Sequence, residues 1–273
     1  MLINTVSDKL DIIVLAGQSN AEGYGLGPVE NPYMPDARVL SMRDTDNYGY
    51  VVDEKSRGTF NITLPRRYVI NIAEERQNTS GKIGCLANSF ASRYREECLA
   101  PDRRLLIIHS AVGATGFAKQ NWGVGNVLSE RMIRMCELAL GMNPENRVVA
   151  LLWHQGEHDA IFRPELTDDE REKLHTDNLS AMFAEFREKC GEAPIIMGTF
   201  ADEWAKSAPR SEVIVSAMRN ISDSFSRAAL ADASGLPTNN QDLGNGDAIH
   251  FSRNSLYKFG ERYFEVYKLV NNG

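Results

Sequence analysis

Ser19 stands just past a short apolar run, residues 12–16, in the stretch DIIVLAGQSN (11–20). Asp247 and His250 stand three residues apart in GDAIHF (246–251), near the other end of the chain. A serine hydroxyl becomes a nucleophile when a base takes its proton, and the base needs a carboxylate to fix its tautomer. These side-chain types supply that set, and the three-residue spacing lets Asp247 and His250 face one serine. Each also has a plain structural reading. Ser19 can be a helix N-cap, and 246–251 can be a polar loop ahead of the last helix.

The elements that must position these groups follow from hydrophobic pattern. Residues 12–16 read as a buried parallel strand, and Gly17 permits a tight turn without a Cβ clash. Ser19 then lies past the strand's carboxyl end, where open α/β sheets place their sites. The pattern recurs. RLLII (104–108) runs into HSAVGATG (109–116), a loop whose Gly113 can aim a backbone N–H at an oxyanion. RVVALLW (147–153) runs into HQGEHD (154–159), polar residues that are costly after a buried strand unless they bond one another. Residues 37–42 and 195–199 complete a set of about five strands. Helices are expected over 86–99, 127–140 with Gly141 just past its end, 174–190, 212–230, and after Ser252 as N-cap. Residues 231–236 read as a short strand or link, and 238–246 as the loop that delivers Asp247 and His250. Trp204 is read as an interior residue rather than a sugar platform. Residues 43–84 form a long irregular stretch, a candidate substrate rim. The alternation of strands and helices predicts a single domain over 1–273, a three-layer α/β/α sandwich on a parallel sheet. The chain order Ser, Asp, His is that of the α/β-hydrolases, but Ala21 stands where the G-x-S-x-G elbow needs its second glycine.

Four blocks in order, GQSN (17–20), SAVGAT (110–115), WHQGEHD (153–159) and GDAIHFS (246–252), together resemble the SGNH hydrolases. The WHQGE form is similar to carbohydrate esterase family 6 and the sialate O-acetylesterase domain. The likeness spans nearly the whole chain. It implies a flavodoxin-like strand order, 2-1-3-4-5. It also implies a serine esterase that removes O-acetyl groups from a carbohydrate of the acetylxylan or sialate type. In that reading Ser19, His250 and Asp247 are catalytic. The Ser19 and Gly113 N–H groups and the Gln155 amide hold the oxyanion, and Gln18, Asn20 and Glu157 support the site. His154 and Asp159 are structural, and neither cofactor nor metal is needed. Three departures stand out: Ala21 in place of the usual Met, Gly113-Ala114-Thr115 in place of GGT, and His158 where a small residue is common.

Composition narrows the classes. The 273 residues carry a formal net charge of −7, and the basic pairs Arg66-Arg67 and Arg103-Arg104 make no patch for nucleic acid. No apolar run approaches the ~20 residues that cross a bilayer. The N-terminal stretch lacks a basic n-region and a small-residue cleavage site, which predicts a cytoplasmic protein. Cys85, Cys98, Cys136 and Cys190 have no C-x-x-C spacing and read as thiols in a reducing compartment, with two disulfides the alternative if the chain is secreted. The expected partner is an acetylated carbohydrate or another small ester. Two other readings stand beside the esterase. HQGEH (154–158) fits H-x-x-E-H, a zinc hydrolase pattern that needs a helix to bring both histidines to one face. A non-catalytic carbohydrate-binding or assembly protein on the same fold is the other.

Overall fold

The structure, a computed structural model, describes residues 8–44 and 68–271. Of the expected rim over 43–84, residues 45–67 therefore lie outside the described residues. The strands are β1 Lys9–Gly17, β2 Val39–Asp44, β3 Tyr68–Ile72, β4 Arg76–Asn78, β5 Gly81–Ile83, β6 Arg103–His109, β7 Arg147–His154, β8 Ile195–Gly198 and β9 Ala228–Ala231. The helices are α1 Ser19–Glu22, α2 Leu86–Glu97, α3 Val127–Gly141, α4 Glu157–Ile161, α5 Asp168–Cys190, α6 Asp202–Ser207, α7 Ser211–Ser224, α8 Asn239–Leu243 and α9 Arg253–Asn271.

The central sheet has seven strands in the order β3-β2-β6-β1-β7-β8-β9, parallel except for β3. This corrects the expected count of about five and the expected order. Taken as strands 1 to 5 of the expected set, β1, β2, β6, β7 and β8 run 2-3-1-4-5, so β6 lies between β2 and β1. The cause is the length and apolarity of β1, β6 and β7, buried along most of their length, together with one carboxylate. Asp11 of β1 is fully buried and accepts hydrogen bonds from Arg103 Nε (2.7 Å), Arg147 Nε (2.7 Å) and the Tyr94 hydroxyl (2.8 Å). Arg103 opens β6 and Arg147 opens β7, so the Asp11 carboxylate draws those two strands to either side of β1. The shorter β2 is left outside, capped by antiparallel β3.

Helices α2 and α9 pair with each other on one face, and α5 lies between α3 and α7 on the other. Several boundaries differ from expectation. The helix expected over 212–230 stops at Ser224, because Arg227 takes a positive φ of 53° and the small residues Ala228–Ala231 join the sheet edge beside β8. The strand expected over 231–236 is therefore displaced to β9. Helix α5 starts earlier than 174, from a capping box in which Thr167 and Glu170 satisfy each other's backbone N–H. Gly141 ends α3 from inside rather than following it. Within 238–246, a second capping box, Thr238 with Gln241, starts α8. Trp204 is buried edge-on against Phe200, an interior residue as expected. All four cysteines are free thiols. Among the described residues no helix is long and apolar enough to cross a membrane.

Candidate active site

The serine loop is built by close approach of two strand ends. Gly17 has φ +125°, and a Cβ there would meet the His154 carbonyl oxygen at 2.0 Å. The Gln18 N–H donates to that same oxygen at 2.9 Å. Only glycine lets β1 turn so tightly over β7 and place Ser19 at the head of α1. Asn20, next in the chain, is a clamp. Its Nδ2 donates to Glu157 Oε1 (2.7 Å) and to the Ile249 carbonyl (3.1 Å), and its Oδ1 accepts the Phe251 N–H (3.1 Å). Those last two contacts bracket His250 and tie its loop to the serine loop.

The His250 ring is oriented by Asp247. Nδ1 lies 3.0 and 2.9 Å from the two carboxylate oxygens, and the His250 N–H donates to Asp247 Oδ1 at 3.2 Å. With the Nδ1 proton directed at the carboxylate, Nε2 carries the lone pair. Asn239 Nδ2 donates to Asp247 Oδ2 (2.9 Å) and to the Tyr24 carbonyl (3.0 Å), and Asn239 Oδ1 accepts the Leu26 N–H (2.8 Å). Burial pushes the Asp247 pKa up, but Asn239 and His250 outweigh it and hold the carboxyl below its ordinary value. The Tyr24 ring stacks on the His250 ring, with centroids 4.9 Å apart. Ser19 and His250 line one cavity of about 390 Å³, with Gln18, Gly113, Glu157 and His158 on its walls. Among the described residues no hydrogen bond joins the Ser19 hydroxyl to the His250 ring. Such contacts are often long in unliganded sites and tighten with substrate.

The expected oxyanion donors are placed unequally. A Cβ on Gly113 would stand 3.6 Å from Ser19 Cβ, so this loop reaches the serine. The Gly113 N–H, however, donates to Glu22 Oε2 at 2.8 Å, and Arg76 holds the other oxygen of Glu22 at 2.9 Å. Gln155 is fully buried, and its Nε2 faces Asp159 Oδ2 (2.9 Å), the Thr115 carbonyl (3.3 Å) and Gln18 Oε1 (3.4 Å). It does not line the cavity.

Glu157 is a wall of the cavity and a brace. Its Oε1 accepts from Asn20 and lies 3.1 Å from His154 Nε2. Burial raises its pKa, yet His154 and Asn20 together bring it below the ordinary carboxylate value. Asp159 accepts the Phe117 and Ala118 N–H groups, both at 3.0 Å, and pins the loop after β6. His154 lies in the core among Phe200, Phe251 and Phe259. The H-x-x-E-H helix is not formed. His154 ends β7, Gly156 turns the chain with φ +148°, and His158 stands in the first turn of α4. His158 packs on Phe162 at 5.3 Å, and burial, then Lys119, hold its pKa below the usual histidine value.

Three site residues escaped the sequence reading: Asn239, Tyr24 and Glu22. For Asn239 a signal exists, since it follows Thr238 in the T-x-x-Q capping pattern that opens α8. Tyr24 and Glu22 carry no such signal.

A family model described as carbohydrate esterase, sialic acid-specific acetylesterase, matches residues 9–268. Among curated proteins none matches the chain. Among solved structures the chain is similar to NanS, with TM-score 0.73 and 17% identity over 97% of this chain and 98% of that one. It is similar to a protein from Arabidopsis thaliana, with TM-score 0.65 and 18% identity over 95% and 98% of the two chains. It is also similar to a carbohydrate acetylesterase from Xanthomonas citri, with TM-score 0.64 and 17% identity, covering 96% of this chain and 56% of that one. At these identities the structural likeness speaks to fold.

Proposed function

The chain belongs to the sialic acid-specific acetylesterase family of carbohydrate esterases, and we propose that Ser19, His250 and Asp247 carry its reaction. It is a carboxylic ester hydrolase acting on O-acetylated carbohydrate. The observation that supports the residue assignment is a shared cavity: Ser19 and the Asp247-oriented His250 line the same space.

In the proposed reaction Ser19 Oγ bonds to the acetyl carbonyl carbon while His250 Nε2 takes its proton. The carbonyl π pair moves onto oxygen. Collapse of that intermediate reforms the carbonyl and breaks the bond to the sugar oxygen, which takes the proton back from His250. Water, giving a proton to His250, then bonds to the acetyl carbonyl carbon; the bond to Ser19 Oγ breaks, Oγ takes that proton from His250, and acetate leaves. Asp247 stays ionised throughout and stabilises the imidazolium. The Ser19 and Gly113 N–H groups are the proposed backbone donors to the oxyanion, each such donor contributing roughly 3–4 kcal/mol where measured. The Gly113 N–H donates to Glu22 Oε2 in this structure, so its proposed role requires that bond to be exchanged for one to the oxyanion. Ile161, Ile249 and Ala114 on the cavity walls suit an acetyl methyl. The proposed substrate is an O-acetylated sugar, with the sialate type ahead of acetylxylan because the family description names it.

Ser19→Ala is expected to abolish acetate release from acetylated sugars and from p-nitrophenyl acetate while the circular dichroism spectrum is unchanged. Activity retained in that variant would overturn the nucleophile assignment.

A further inference from the structure

We infer that Gln18, rather than Gln155, supplies the side-chain amide that donates to the oxyanion. The inference rests on Ser19 as nucleophile. A backbone N–H can only donate, so the Gln18 atom 3.2 Å from the His158 N–H is oxygen. The Gln155 atom facing the Asp159 carboxylate and the Thr115 carbonyl must be nitrogen; its two hydrogens serve those acceptors at 2.9 and 3.3 Å, and Gln18 Oε1 is a third, longer contact at 3.4 Å. Gln155 therefore has its N–H groups committed inside the protein, away from the cavity. Its own Oε1 is buried with no partner among the described residues. Gln18 is in the opposite position. Its oxygen accepts the His158 N–H at 3.2 Å, Gln18 lines the cavity together with Ser19, and its Nε2 makes no hydrogen bond among the described residues.

The bond from the His158 N–H, with the Gln155 amide in longer contact behind it, orients the Gln18 amide before substrate arrives. A donor held this way stabilises a developing oxyanion without reorganising at the moment of reaction. The Ser19 N–H of the following residue and the Gln18 Nε2 then act from one short segment. Gln155 is the positioning residue that holds Gln18 from behind. The Gly113 N–H, by contrast, is held by Glu22 Oε2 at 2.8 Å.

Gln18→Glu separates the two roles. A glutamate keeps an oxygen for the His158 N–H and the Gln155 amide, so a purely structural role survives. It replaces the donor with a negative oxygen facing the oxyanion. The expected result is a fall in kcat of about 10²–10³-fold with KM within about threefold, the scale set by loss of one oxyanion donor. Affinity for an alkylboronic acid, which forms a tetrahedral adduct on serine, should fall by the same factor as kcat/KM. If the glutamate variant does not fold, Gln18→Ala tests the same point, with the same paired loss expected. Activity and boronate affinity within threefold of the parent enzyme would overturn the inference, as would a rise in KM alone. Failure of the underlying reading looks different: the parent enzyme would not bind the boronate, or Ser19→Ala would stay active.

Discussion

Asn20 shows how much a single amide can organise. Its two ends reach Glu157 at the start of α4 and the backbone on both sides of His250, 3.1 Å away at Phe251 N and at the Ile249 carbonyl. All three contacts are buried or half-buried, so water cannot replace them cheaply. Asn20→Ala is expected to lower kcat by up to about 10²-fold, the cost of letting a catalytic group drift by about an ångström. Stability should fall by about 2 kcal/mol, for the Phe251 N–H and the Glu157 oxygen left short of a partner. Steady-state kinetics and urea unfolding check the two numbers. Full activity in the variant would mean that the His250 loop is held by α9 and Asn239 without this clamp.

At the scale of elements, the loop after β6 depends on α4. Asp159 takes the Phe117 and Ala118 N–H groups, the Gln155 amide and a contact with His175 3.3 Å away. Burial raises the Asp159 pKa, but His175, the Ala118 N–H and Gln155 outweigh it and leave it below the ordinary value. A carboxyl with a lower pKa when folded binds its proton first in the unfolded chain. Its contribution to stability is therefore complete above the ordinary carboxylate value of about 4 and is lost as pH falls through the folded value. Asp159→Asn should cost about 2 kcal/mol at pH 7, since buried N–H groups lose a charged acceptor. It should also flatten the acid limb of stability against pH below about pH 4. Unfolding titrations of parent and variant across that range test this. Parallel acid limbs would show that Asp159 is not a source of the pH dependence.

For the molecule as a whole, the sheet turns on Asp11. One buried carboxylate, with Arg103 and Arg147 converging on it, ties the starts of three neighbouring strands at the end of the sheet opposite the site. Removing it leaves the mostly buried Arg103 guanidinium without its counter-charge. Asp11→Ala should cost about 3 kcal/mol, the lower part of the range for breaking one partner from a buried pair. Because the site lies at the far ends of the strands, kcat at 20 °C should be little changed. Thermal unfolding and kinetics on the same sample separate the effects. A large loss of kcat with unchanged stability would contradict this division between frame and site.

What the sequence determined was local in its physics. An apolar run that ends in glycine is a buried strand and a tight turn in almost any neighbourhood, and so β1, β6 and β7 and the loops bearing Ser19, Gly113 and Gln155 were legible without coordinates. The four ordered blocks added the family. What tertiary structure decided was partnership between groups far apart along the chain. Several apolar strands are near-equivalent as neighbours of β1, and the choice of β6 and β7 fell to Asp11 and two arginines 92 and 136 residues away. Helix 212–230 broke where small residues gained a strand partner in β8. Which way an amide faces was decided in the same manner. The Gly113 N–H found Glu22, 91 residues away, and the Gln155 amide found Asp159 rather than the cavity. A hydrogen bond is made or lost within half an ångström, and no pattern of residue types along a chain carries that length scale.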